Sequence, residues 1–115
     1  MSVLKAREFK GIVSCVAWVP NGELLAVAVR KEIHLLASGT LSTLNTITSF
    51  VVCSMQWSLE GDRLALGGDD GFVGIRMQQS LASICEAHCG DWPVRPLAWA
   101  PRCGGLVIGI GGHRL

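Results

Sequence analysis

Cys85, His88 and Cys89 fall within five residues as C-x2-H-C, and Cys103 and His113 follow downstream. Thiolate and imidazole are the ligands zinc prefers, and three of them so close could share one ion. Yet the spacing matches no defined finger, and on an extended chain His88 and Cys89 point to opposite sides. The same alternation weighs against Cys89 as a nucleophile, which would need a His base within reach and a third group to orient it. Ordinary loop residues are the simpler account of this cluster. A small Cys/His metal-binding (zinc) or redox protein built on Cys85, His88, Cys89 and Cys103 is kept as the alternative.

The other candidate chemistry is weaker still. Asp62, Asp69 and Asp70 lack the alternating ligand order of a calcium loop and read as solvated turn carboxylates. The glycines of 67–71 and 104–112 suggest phosphate loops, but such a loop must open a helix, whose N-terminus binds the anion, and no helical pattern follows either run. No catalytic residue and no cofactor is therefore expected, and the chain reads as non-enzymatic. Ten basic against nine acidic residues leave a formal charge of +1. With Arg30-Lys31 and Arg63 scattered, there is no basic stripe for nucleic acid or an anionic membrane. No apolar stretch approaches the roughly 18–20 residues that cross a bilayer. The first ten residues carry charges where a signal peptide needs an apolar segment. Five cysteines, an odd number, do not suggest a secreted disulfide framework, so a reduced, intracellular setting (cytoplasmic or nuclear) is expected.

What must position these residues is a repeat. Trp18, Trp57 and Trp99 each close a short apolar run, at spacings of 39 and 42 residues. Turn chemistry follows: Pro20-Asn21-Gly22 after the first, and Ser58-Leu59-Glu60-Gly61-Asp62 after the second. Strands are expected at 12–18, 24–29, 33–36 and 41–50, then at 52–57, 63–67, 72–77 and 81–85, and finally at 94–99 and 106–110. Residues 86–93 read as a polar loop. No window keeps an i, i+3, i+4, i+7 stripe free of Gly or Pro, so helices are excluded. Four strands per unit of about 40–45 residues, with inner strands apolar on both faces, is the arithmetic of a propeller blade. The fold class is all-β, a partial β-propeller of four-stranded antiparallel blades. Its units are 11–50, 51–92 and an incomplete 93–115, and 3–9 is placed to serve as a closing outer strand.

These units resemble WD repeats. In that family an aromatic ends the first strand and a Ser-Pro-Asp-Gly-like turn follows. Trp18-Val19-Pro20-Asn21-Gly22, Trp57-Ser58-Leu59-Glu60-Gly61 and Trp99-Ala100-Pro101 are similar. Leu64-Ala65-Leu66-Gly67-Gly68-Asp69-Asp70-Gly71 resembles the family's second strand and its acidic turn, and His88 resembles the His that precedes a first strand. The Trp-Asp pair would fall near Leu36-Ala37 and Arg76-Met77, and neither is Trp-Asp. The His–Ser/Thr–Asp–Trp arrangement is complete in no unit, with Asp69 or Asp70 and His88 expected in different units.

The resemblance implies a scaffold or adaptor that docks other proteins on its rims. Trp92, in the polar loop and away from the repeat positions, is a candidate partner anchor, because Trp is enriched at binding hot spots. About two and a half blades do not close a ring, and an unclosed blade would expose a large apolar face. The expectation is a fragment of a longer propeller, with a genuine N-terminus and a cut C-terminus. Self-association and capping by another protein are the other two ways to cover those faces.

Overall fold

The computed structural model describes residues 9–78, 80–91, 93–99 and 106–110. They form ten strands: β1 (Val13–Trp18), β2 (Leu24–Val29), β3 (Glu32–Ala37), β4 (Thr43–Thr48), β5 (Val52–Trp57), β6 (Arg63–Gly68), β7 (Phe72–Met77), β8 (Ser83–His88), β9 (Val94–Trp99) and β10 (Leu106–Ile110). Two four-stranded meanders, β1-β2-β3-β4 and β5-β6-β7-β8, are followed by the pair β9–β10, and every pairing is antiparallel. The all-β, partial-propeller expectation holds. No helix among the described residues is long and apolar enough to cross a membrane.

The two meanders are built alike because their turns are chemically alike. Gly22 and Gly61 sit at φ 77° and 78°, a region that costs other L-residues about 1–2 kcal/mol. Each closes the same turn, with Gly22 N–H donating to Val19 O at 2.7 Å and Gly61 N–H to Ser58 O at 2.8 Å. The β3–β4 and β7–β8 turns match as well. Leu41 and Leu81 take φ 58° and 56° and donate their N–H to Ala37 O and Met77 O. A leucine adopts this conformation only where surrounding structure compensates, and Leu81 is completely buried in the core between the sheets.

That core joins Ala26, Ala28, Ile33 and Leu35 of the first sheet to Val52, Trp57, Leu64, Leu66 and Leu81 of the second. Burying each of the larger side chains stabilises by about 1.5–3 kcal/mol, so the sheets are stacked faces of one apolar layer. The opposite face of the first sheet presents Val27, Val29 and Leu36, covered by Leu25, Leu41 and Phe9. Phe9 also lies 5.0 Å, ring to ring, from His34. The rest of the expected closing strand at 3–9 lies outside the described residues.

Several strand ends differ from the sequence reading by one or two residues (β4 is Thr43–Thr48 where 41–50 was expected), and β8 differs most. β8 continues to His88, where a loop from residue 86 was expected: Glu86 pairs with Gly74, Ala87 with Val73 and His88 with Phe72. All six residues of β8 are exposed. An outermost strand needs no apolar face, so backbone pairing carries it through polar residues that read as loop.

Candidate interaction surface

The three repeat tryptophans end β1, β5 and β9. Trp57 Nε1–H donates to Ala17 O at 3.0 Å, and Trp99 Nε1–H donates to Gln56 O at 3.0 Å. Each acceptor is the residue just before the preceding tryptophan, so one contact is made twice, from sheet to neighbouring sheet. Trp57, with a sheet on either side, is 5% exposed, while Trp18 is 52% exposed. The Trp18 indole has no hydrogen-bond acceptor among the described residues.

A second contact recurs at the opposite ends of these strands. Ser14 Oγ donates to Val52 O at 2.6 Å. One sheet on, Cys53 Sγ lies 3.4 Å from Val94 O and Ser54 Oγ donates to it at 2.5 Å. Ser14 and Cys53 each stand four residues before their tryptophan. Sequence pattern gives no sign of this seam, since a backbone acceptor leaves no mark in composition. The Cys15 thiol is pushed up to about 11, chiefly by burial, with the nearby Cys53 acting in the same direction and a Ser14 hydrogen bond opposing. Such a thiol stays protonated and is a poor nucleophile at neutral pH.

Along the tryptophan row runs an open groove of about 540 Å³, lined by Val16, Trp18, Pro20, Met55, Gln56, Leu59 and Trp99, among others. Among the described residues no acid, base or thiol lines it. Leu59 projects from the β5–β6 turn, 70% exposed. The groove can therefore desolvate apolar side chains and offer aromatic faces and edges, while its described residues include no group to move a proton or hold a metal.

The cysteine–histidine cluster is spread along one edge. Cys85 and Cys89 are exposed thiols, and His88 Nε2 lies 2.9 Å from Asp70 O. A carbonyl only accepts, so this nitrogen carries the proton and is not free to bind a metal. The His88 ring packs 4.6 Å from Phe72, which stacks at 5.5 Å on Phe50. Asp70 and His88 thus meet within one sheet, not in different units as expected, and they meet through the Asp70 backbone instead of its carboxylate. Asp69 and Asp70 occupy the exposed β6–β7 turn. Among the described residues no three His, Cys, Asp or Glu side chains converge on a metal position. Cys103, His113 and Trp92 lie outside the described residues.

No protein-family model matches the chain. It is 32% identical over 102 residues to the meiotic fizzy-related protein 2 of Schizosaccharomyces pombe, across 84% of this chain and 19% of that protein. The chain thus spans about a fifth of the length of this curated relative. Among solved structures, it superposes on the RRP9 WD40 repeats with a TM-score of 0.79 at 19% identity, covering 87% of this chain and 33% of that one. It also superposes on a chain of the mitotic checkpoint complex with a TM-score of 0.74 at 27% identity, covering 86% and 32%.

Proposed function

From the premise that these sheets are blades of a WD-repeat β-propeller, we propose that the chain is a non-enzymatic scaffold or adaptor that docks other proteins inside the cell. The observation that carries this reading is the groove along the tryptophan row. It is apolar, open, without titratable groups among the described residues, and edged by exposed Trp18, Pro20 and Leu59. Aromatic anchors in a partly desolvated cleft are what a protein hot spot requires, whereas catalysis requires groups of matched proton affinity. One structural neighbour is a component of the mitotic checkpoint complex, a protein assembly, which supports the same role here.

In this reading the chain divides into units 11–50, 51–92 and 93–115 of a larger ring. Trp18, Gly22, Trp57, Gly61, Asp69, Asp70, His88 and Trp99 hold the repeat geometry, and Trp92 is an additional anchor.

The test is selection of the folded chain against a displayed library of disordered peptide segments, with Leu59→Asp as the comparison. Leu59 is exposed on a turn, so the substitution leaves the core intact. Enrichment of apolar peptides that is lost with Leu59→Asp supports the proposal. No enrichment, or enrichment indifferent to Leu59→Asp, overturns it, and stoichiometric zinc in the purified protein would turn attention to the Cys/His alternative.

A further inference from the structure

We propose that the cleft between the β2–β3 turn and the β4–β5 link binds an acidic peptide segment of a partner protein, with Arg30 and Lys31 holding its carboxylates. The cleft measures about 510 Å³ and is lined by Arg30, Lys31, Glu32, Thr48 and Val51. Both walls come from residues 30–51, in the interior of the described chain, at the end of the first sheet opposite Trp18.

The two cations are presented, not neutralised. Arg30 and Lys31 are exposed, and among the described residues no carboxylate lies within ion-pair distance of either. Glu32, the acid in the described lining, turns to its own strand instead, where Oε1 accepts from His34 Nε2 at 3.1 Å. The turn itself is fixed, because Ser49 N–H donates to Lys31 O at 2.6 Å and Val52 N–H to Arg30 O at 3.4 Å. The Arg30 stem runs over Gly11, where a Cβ would stand 3.2 Å from Nε. A guanidinium on a held stem loses little further freedom when its planar fork takes both oxygens of a carboxylate. Val51, 37% exposed, offers an adjoining apolar side chain a surface to cover.

The repeat supplies an internal comparison. Arg30 stands at φ 56° in a two-residue turn between paired Val29 and Glu32, a position that Gly or Asn fills with less strain. The corresponding turn of the second sheet, Asp69-Asp70-Gly71, puts glycine at its positive φ of 92° and carries the opposite charge. The fold thus does not require a cation here, and Arg30 keeps its charge at a conformational cost of the kind stored at ligand sites. Asp69 N–H donates to Val51 O at 2.9 Å, so the acidic turn adjoins the cleft. Two cations bordered by two carboxylates suit one short acidic stretch and repel a continuous polyanion such as nucleic acid. The cleft shares no described lining residue with the tryptophan groove, so either site can fail alone.

The test is fluorescence anisotropy of a labelled Glu-Glu-Leu-Glu peptide titrated with the purified chain, beside its Lys-Lys-Leu-Lys counterpart and a labelled oligothymidine. Binding of the acidic peptide that weakens with added salt is expected. Arg30→Gly should weaken it about tenfold, while raising the thermal midpoint because glycine relieves the positive φ. Arg63→Gln removes an equal charge from the tryptophan end of the second sheet and should leave binding unchanged. No binding of the acidic peptide overturns the proposal, as does binding no tighter than that of the basic peptide or the oligothymidine, or an equal loss with Arg63→Gln. If Arg30→Gly fails to fold, Lys31→Gln takes its place under the same criterion.

Discussion

Replacing each repeat tryptophan in turn should cost unequal amounts, in an order set by the seam between sheets. Trp57 is 5% exposed, packs in the core shared by both meanders, and donates to Ala17 O. Trp57→Phe removes the N–H, which leaves a shielded carbonyl unpaired, at about 1–3 kcal/mol. It also removes part of the indole volume from a packed layer, so a total of about 2–3 kcal/mol is expected, and about 3–5 for Trp57→Ala. Trp99 makes the same hydrogen bond at a more exposed position, and Trp99→Phe should cost about 1 kcal/mol. Trp18 is half exposed and has no acceptor among the described residues, so Trp18→Phe should stay within about 0.5 kcal/mol. In a domain of this size 1 kcal/mol moves the midpoint by about 4 °C. Thermal and urea unfolding of the three variants by circular dichroism gives the order directly. Equal losses at the three positions, or a larger loss at Trp18 than at Trp57, would refute the reasoning that the inter-sheet hydrogen bond and burial set the energies.

Further consequences are as direct. Gly71 lies at φ 92°, and a Cβ there would collide with the Gly90 carbonyl; Gly71→Ala should therefore destabilise by at least about 2 kcal/mol. Gly22, at φ 77° with open space around it, should lose only about 1–2 kcal/mol as Ala; chemical denaturation of the pair separates collision from backbone strain. Leu81→Ala should cost about 2–5 kcal/mol because Leu81 is wholly buried, and the half-buried Leu41 clearly less, as read from the same melts. The Cys15 thiol, raised to about 11, should resist iodoacetamide at neutral pH while exposed Cys85 and Cys89 react, and mass mapping after timed alkylation checks this. Because the fold favours the protonated form, the stability that Cys15 contributes is fully present below the unfolded-state value of about 8.5. It declines as pH rises toward about 11, so Cys15→Ser should flatten the alkaline limb of the stability profile.

Much of the fold was legible from local chemistry. The apolar runs ending in Trp18, Trp57 and Trp99, and the Gly-containing turns after the first two, placed the inner strands within a residue or so of where they lie. These strands are buried, so apolarity and strand coincide. The outermost strand was misjudged. Glu86-Ala87-His88 looks like a loop because β8 is solvated on all sides, and only its pairing with Phe72-Val73-Gly74 reveals a strand. The Asp70–His88 contact was missed for a related reason: it uses a backbone oxygen, for which the residue type at position 70 is no guide.

The sequence by itself determined that the chain makes short antiparallel hairpins in repeating units, because turn geometry and two-residue alternation act over a handful of neighbouring residues. Only the tertiary structure decided what the repeats do for one another. It set which carbonyl each indole reaches, placed Ser14 on Val52 across 38 residues, and held Leu81 at a positive φ by burying it between sheets. It also left Trp18 half exposed, with no acceptor for its indole among the described residues, while its counterpart Trp57 is sealed. Those outcomes depend on a second sheet lying against the first. Identical residues in identical turns thus acquire different energies, because burial and hydrogen-bond partners belong to the neighbour and not to the residue.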